Sequence, residues 1–269
     1  VAPEAEVEIE VEASESATPK KVIESHTVEQ HFAEEMPMED KIKAIVMPMI
    51  EEMKAELSAM REEMGIAKDI DLVFNSNMTN IQPRFLETIG QFRDVLMCLS
   101  VDGYAQYNDY IRSGSTWSVI DKHIRDYADS EVVGNILFSP VIQIYNILNI
   151  TDLLDYAEEI SNESGRRIDI SFLLNNYPKC LDIRNLPQNV RDVAIQQLET
   201  WSATSKYFDA DERNKQTVLG LIKALKESYN EDSEEQMQVF KEYTLLLDSK
   251  REQSMKESIP ELWELLGWT

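Results

Sequence analysis

The chain has 269 residues, 43% of them apolar and 28% charged, which is the balance of an ordinary globular protein with a core to bury. Lys and Arg number 26 against 50 Asp and Glu, and the net charge of −24 excludes a broad footprint on nucleic acid or anionic lipid. No apolar run approaches the about 20 residues needed to cross a bilayer, and two cysteines exclude a disulfide framework and predict reduced thiols in a cytoplasmic protein.

Residues 1–37 carry Glu4, Glu6, Glu8, Glu10, Glu12 and Glu15 among Ser, Thr and Pro, with few large apolar residues, and are expected to be an acidic disordered segment. The chain opens on Val1 without a basic stretch followed by an apolar one, which predicts no signal or transit peptide and points to processing or an incomplete chain. Residues 38–66 change texture. Ile42, Ile45, Val46, Met49, Ile50, Met53, Leu57, Met60 and Met64 recur at steps of three and four, as an amphipathic helix requires, with a kink expected at Pro48. Its methionines suit an adaptable surface, either against the rest of the chain or against a partner.

Residues 67–269 alternate between strand-like and helix-like runs. Strands are expected at 70–74, 95–101, 133–142 and 168–174, with helices at 83–91, 117–127 and 150–162 between them. That order predicts a parallel sheet flanked by helices. From Val190 onward the spacing of Leu219, Ile222 and Leu225, then Phe240, Tyr243 and Leu247, then Leu262 and Leu265 predicts a helical tail lying over one side of the sheet.

Parallel sheets bind ligands at the carboxyl ends of their strands, so the residues just past each run are the candidates. They are Asn77 and Thr79 after the first run, Ser100 and Asp102 after the second, and Ser139 with Gln143 and Asn146 after the third. Asn175 and Asn176 follow the fourth. The same residue types also serve turns and helix caps. No phosphate-binding loop, G-x-S-x-G or G-x-G-x-x-G sequence occurs, which disfavours nucleotide-triphosphatase, hydrolase and dinucleotide chemistry. His26 and His31 lie in the acidic segment and His123 stands alone on a helix, so no histidine-based metal or catalytic site is expected.

Taken in order, Ser76-Asn77-Met78-Thr79, Leu99-Ser100-Val101-Asp102-Gly103, Tyr110-Ile111-Arg112 with Trp117, and Leu186-Pro187 resemble the later part of a radical S-adenosylmethionine (SAM) enzyme of the twitch-domain type. The stretch from Phe240 and Tyr243 through Asp248, Arg251 and Ser254 to Pro260-Glu261-Leu262 is similar to that group's C-terminal segment. The resemblance covers roughly residues 68–268 and implies a partial (β/α) barrel lacking its first two strands, with about four parallel strands, flanking helices and a helical C-terminal tail. The run at Ile70 would be the third barrel strand. It further implies that Asn77, Thr79, Ser100, Asp102, Arg112 and Ser139 form a SAM cradle, with Asp102 accepting from ribose hydroxyls and Arg112 meeting the methionine carboxylate.

The family's C-x3-C-x2-C loop, whose thiolates hold a [4Fe-4S] cluster, is absent, as is its Gly-Gly-Glu-Pro-like motif. The resemblance therefore implies a cradle that is inactive alone. A missing segment or a partner chain would supply the cluster cysteines and the first barrel strands. The unpaired edge of the Ile70 strand is expected to be covered by the 38–64 helix or by that partner. The competing reading is a non-enzymatic interaction or scaffold protein that binds through the methionine-striped helix and the acidic segment.

Overall fold

A computed structural model describes residues 67–206, 212–227 and 229–268, together with Ala55. The acidic segment and nearly all of the 38–66 helix lie outside the described residues, as do His26 and His31. The described residues divide into two compact units, one that includes residues 67–74, 82–95 and 131–133 and another that includes residues 75–81, 96–130, 134–206, 212–227 and 229–268.

The fold is α/β, with parallel strands in a four-stranded and a two-stranded sheet. Its strands are β1 (Asp71–Ser76), β2 (Asp94–Leu99), β3 (Gly134–Phe138), β4 (Val141–Ile142), β5 (Ile168–Ile170) and β6 (Leu173–Leu174). The order β1-β2-β3-β5 forms the larger sheet and β4-β6 the smaller. Helices α1 (Pro83–Ile89), α2 (Gln106–Ile111), α3 (Trp117–Ala128) and α4 (Ile150–Ser164) fall between strands. The tail comprises α5 (Gln188–Thr204), α6 (Glu212–Glu227), α7 (Ser233–Arg251), α8 (Met255–Ser258) and α9 (Pro260–Leu265).

In the first unit, α1 begins at Pro83, whose missing N–H costs nothing in a first turn, and Phe85 meets Phe74 edge-on at 5.4 Å. Arg93 pairs with Asp71 through two hydrogen bonds. The second unit holds most of the core. Met97, Leu99, Ile136, Phe138, Ile168 and Ile170 are buried on one sheet face, where Tyr156 of α4 meets Phe138. The helix α4 stops at Gly165, whose φ of 70° is open to glycine at little cost.

Two expected strands are each divided. The run 133–142 breaks at Ser139-Pro140 and the run 168–174 at Ser171-Phe172. Pro140 has no N–H to give a ladder, which breaks the pattern on one side. The register nevertheless continues across both breaks, because Ser171, Leu173 and Asn175 N–H donate to Phe138, Pro140 and Ile142 carbonyls.

The tail is helical as expected, but it does not lie over a sheet face. Its helix α6 packs at the free side of β5, α7 packs on the 3-10 turns Lys179–Leu181 and Ile183–Asn185, α8 packs on α2, and α9 packs on α5. The decisive residue is Asn214, 2% exposed, whose Oδ1 accepts the Ile170 N–H at 3.0 Å and whose Nδ2 lies 3.5 Å from the Ile168 carbonyl. These are the groups another strand would have paired, so a side-chain amide closes that edge. Within the tail, Val190, Ala194, Leu198 and Trp201 of α5 and Val218, Leu221, Ile222 and Leu225 of α6 form the buried stripes. The Arg191 Nε–H donates to the Leu225 carbonyl at 2.8 Å and satisfies an open helix end.

Candidate functional site

All six residues nominated from the sequence lie in the second unit. In a parallel ladder an N–H donates to the carbonyl of the residue before its partner. Ser100 N–H donates to Ser76, Ser139 N–H to Leu99 and Ser171 N–H to Phe138. Asn77, Ser100, Ser139 and Ser171 therefore stand on one line across the four strand ends and share a face of the sheet. The structure thus unites three nominated residues and adds a fourth, Ser171. The Ser100, Ser139 and Ser171 hydroxyls are half-buried and make no hydrogen bond among the described residues.

The two sheet faces differ. One row inward on the opposite face stand Leu99, Phe138 and Ile170, all buried under helices. On the serine face the next row holds Asn75, Cys98, Leu137 and Asp169, and the one beyond it includes Leu96, Asn135 and Arg167. This is a mixed polar surface on which Leu96, Leu137 and Asn135 remain half-buried.

Asp102 and Arg112 meet each other. Asp102 Oδ1 accepts the Val141 N–H at 2.8 Å, the donor that loses its strand partner at the sheet break, and Oδ2 lies 2.8 Å from Arg112 Nε. The Nε–H is not aligned on that oxygen, so the contact is a charge pair without a directed hydrogen bond. Arg112 follows directly on α2, and its terminal amino groups make no hydrogen bond among the described residues. The Asp102 carboxylate is thus buried and turned toward Val141 and Arg112, while the guanidinium edge stays open.

Three buried asparagines set the loop after β2. Asn108 Oδ1 accepts the Asp102 N–H at 3.1 Å. Asn146 Nδ2 donates to the Asp102 carbonyl at 2.7 Å and the Val141 carbonyl at 2.8 Å, and Asn149 Oδ1 accepts the Tyr104 N–H at 2.6 Å. Gly103 passes so close that a Cβ there would lie 3.0 Å from Tyr107 Cβ and 3.1 Å from Asn149 Oδ1. Of this set, Asn146 was legible as a strand-end polar residue, while Asn108 and Asn149 were missed. Asn149 carried a signal, as a polar residue three positions after Asn146 inside the apolar run 141–150.

Asn77 and Thr79 meet in an exposed turn, the Thr79 hydroxyl donating to Asn77 Oδ1 at 2.8 Å. Met78 between them is buried with a φ of 57°, and its carbonyl accepts from His123 Nδ1 at 2.7 Å. A carbonyl only accepts, so Nδ1 carries the proton. His123, expected to stand alone, is therefore the residue that ties this turn to α3. Near the β2 loop, Tyr104, Trp117 and Tyr156 lie within 5.4 Å of one another, Trp117 edge to face with both tyrosines and the tyrosines tilted to each other, and Arg125 lies over the Tyr156 ring. Burial and the neighbouring carboxylates of Glu261 and Asp152 push the Tyr107 hydroxyl up to about 12, so it is neutral and able to donate at physiological pH.

Cys98 and Cys180 are both buried, and burial pushes both thiols above the ordinary value; Cys180 sits in a 3-10 turn. Among the described residues no group of three His, Cys, Asp or Glu side chains could hold a metal ion, and no helix is long and apolar enough to cross a membrane. No protein-family model matches the chain, and no curated protein matches it.

Proposed function

We propose that the chain is the C-terminal portion of a radical SAM-like enzyme that binds S-adenosylmethionine at its strand ends and needs another segment or chain for catalysis. The observation that carries this reading is the row of three serine hydroxyls, together with an arginine paired to Asp102, two residues past Ser100; the hydroxyls and the arginine's terminal amino groups make no hydrogen bond among the described residues. Hydroxyls of this kind accept and donate to an adenosine, and a planar guanidinium edge suits the carboxylate of a methionine moiety. Asp102 then acts by holding Arg112 in place rather than by touching ribose, since its carboxylate is already engaged.

A partial barrel is the architecture that this reading requires. In support, one sheet edge is closed by Asn214, while no strand among the described residues pairs with the outer side of β1. The half-open serine face and the β1 edge are where the first strands of a barrel, on a preceding segment or a partner chain, would be added. The [4Fe-4S] cluster does not fit the residues present, because two separate buried thiols cannot replace three thiolates on one loop. SAM does fit, through hydroxyls and a cation.

Titration calorimetry of the full chain with SAM tests the proposal. Binding that weakens about tenfold or more in Arg112→Ala is expected. No heat of binding, together with no cluster after anaerobic reconstitution with iron and sulfide, would leave the scaffold reading standing instead.

A further inference from the structure

The element that carries Arg112 is held from a part of the chain far away in sequence. Helix α2 has six residues and no side-chain cap at its start, so it has little stability of its own. Three contacts from the tail grip it. The Tyr110 hydroxyl donates to Asp248 Oδ1 of α7 at 2.9 Å, Gln253 Nε2 donates to the Asp109 carbonyl at 3.2 Å, and Gln106 Nε2 donates to the Ser258 carbonyl at 3.0 Å. Asp248 is itself fixed, since its Oδ2 accepts the Met255 N–H at 2.8 Å. The Tyr110 ring is buried against Tyr145, whose hydroxyl bonds to Thr244 one turn earlier on α7.

We infer that the C-terminal tail is a positioning element for the strand-end site: Asp248, acting through Tyr110, sets the direction in which Arg112 presents its free amino groups. The inference rests on the reading that this site takes SAM. It explains how Arg112, paired with Asp102 through Nε, can keep its terminal amino groups half-open. Asp102 restrains the guanidinium from the sheet side through one nitrogen, and the tail restrains the Tyr110 side chain two residues earlier and the Asp109 carbonyl three residues earlier. A ligand carboxylate then meets a fork whose orientation has already been fixed.

The test compares two probes on the full chain, SAM and 5′-methylthioadenosine, which keeps the adenosine and lacks the amino-carboxylate. Tyr110→Phe removes the hydroxyl and keeps the buried ring. It should weaken SAM binding about tenfold and leave methylthioadenosine unchanged. Gln253→Ala, which releases the Asp109 carbonyl, should show the same split, so the outcome does not hang on one variant. Equal weakening of both probes, or no change in either, would overturn the positioning role while leaving the SAM reading of the wild-type site standing. A wild-type chain that binds neither probe would overturn the SAM reading and this inference with it.

Discussion

Asp102 and Arg112 form an ion pair at 2.8 Å in which the acid side chain is 7% exposed and the arginine 31%. The burial is uneven because the acid has two structural tasks. One oxygen replaces a lost strand partner for Val141, and the other faces the cation.

Removing that acid should therefore cost more than removing an ordinary surface pair. Asp102→Ala leaves the Val141 N–H and Arg112 without a partner and is expected to destabilise the fold by about 3 kcal/mol, whereas Asp102→Asn, which keeps an acceptor for Val141, should cost about half as much. Urea unfolding of both variants checks the difference; equal losses would mean that the Val141 bond contributes nothing.

The amide that closes the β5 edge gives a second case. Asn214→Ala leaves the Ile170 N–H and the Ile168 carbonyl buried and unpaired, with an expected loss of about 2–4 kcal/mol. Hydrogen exchange should show Ile170 deprotected first. Unchanged protection at Ile170 would assign the edge to some other cover.

Asp152 and Glu261 should oppose stability as pH rises. Burial raises both carboxyls, and the Asp152 charge raises Glu261 further, above ordinary values of 3.8 and 4.5. The folded chain then binds protons more tightly than the unfolded one. Their contribution is present below the ordinary values and is lost as pH climbs through the raised ones. Glu261→Gln should raise Tm by roughly 1–2 °C at neutral pH, with the gain vanishing near pH 4. The comparison with wild type matters, because Asp71 and Asp232 are lowered by Arg93 and Lys179 and act in the opposite direction. A gain that persists undiminished in acid would rule out the charge as its source.

Both thiols should resist a disulfide reagent in the native chain. Burial raises Cys98 and Cys180 and removes the thiolate that would attack. Labelling should proceed rapidly in guanidinium and only at the rate of opening without it. Prompt labelling of either thiol in the native state would contradict its burial.

The His123 contact predicts a local effect. His123→Ala frees the Met78 carbonyl, and amide exchange at 77–80 should accelerate while the core at Met97 and Ile136 stays protected. Uniform acceleration would indicate a global role instead.

What the residue pattern determined was local. Apolar periodicity and turn residues were enough to place most strands and helices between 70 and 164, because each depends on neighbours a few positions away; the six-residue α2 and the break at Ser139-Pro140 were not among them. The same holds for Asn77, Ser100 and Ser139 as strand-end polar groups. What needed the folded chain was everything joined across long separations. The Asp102–Arg112 pairing, the alignment of Ser171 with Ser139, the Asn214 closure of β5 and the Tyr110–Asp248 bond each follow from a register or a docking angle that no local spacing encodes. The tail was expected over a sheet face for the same reason: its helical period specifies which side is apolar, and only the packing of α6, α7, α8 and α9 decides what that side meets.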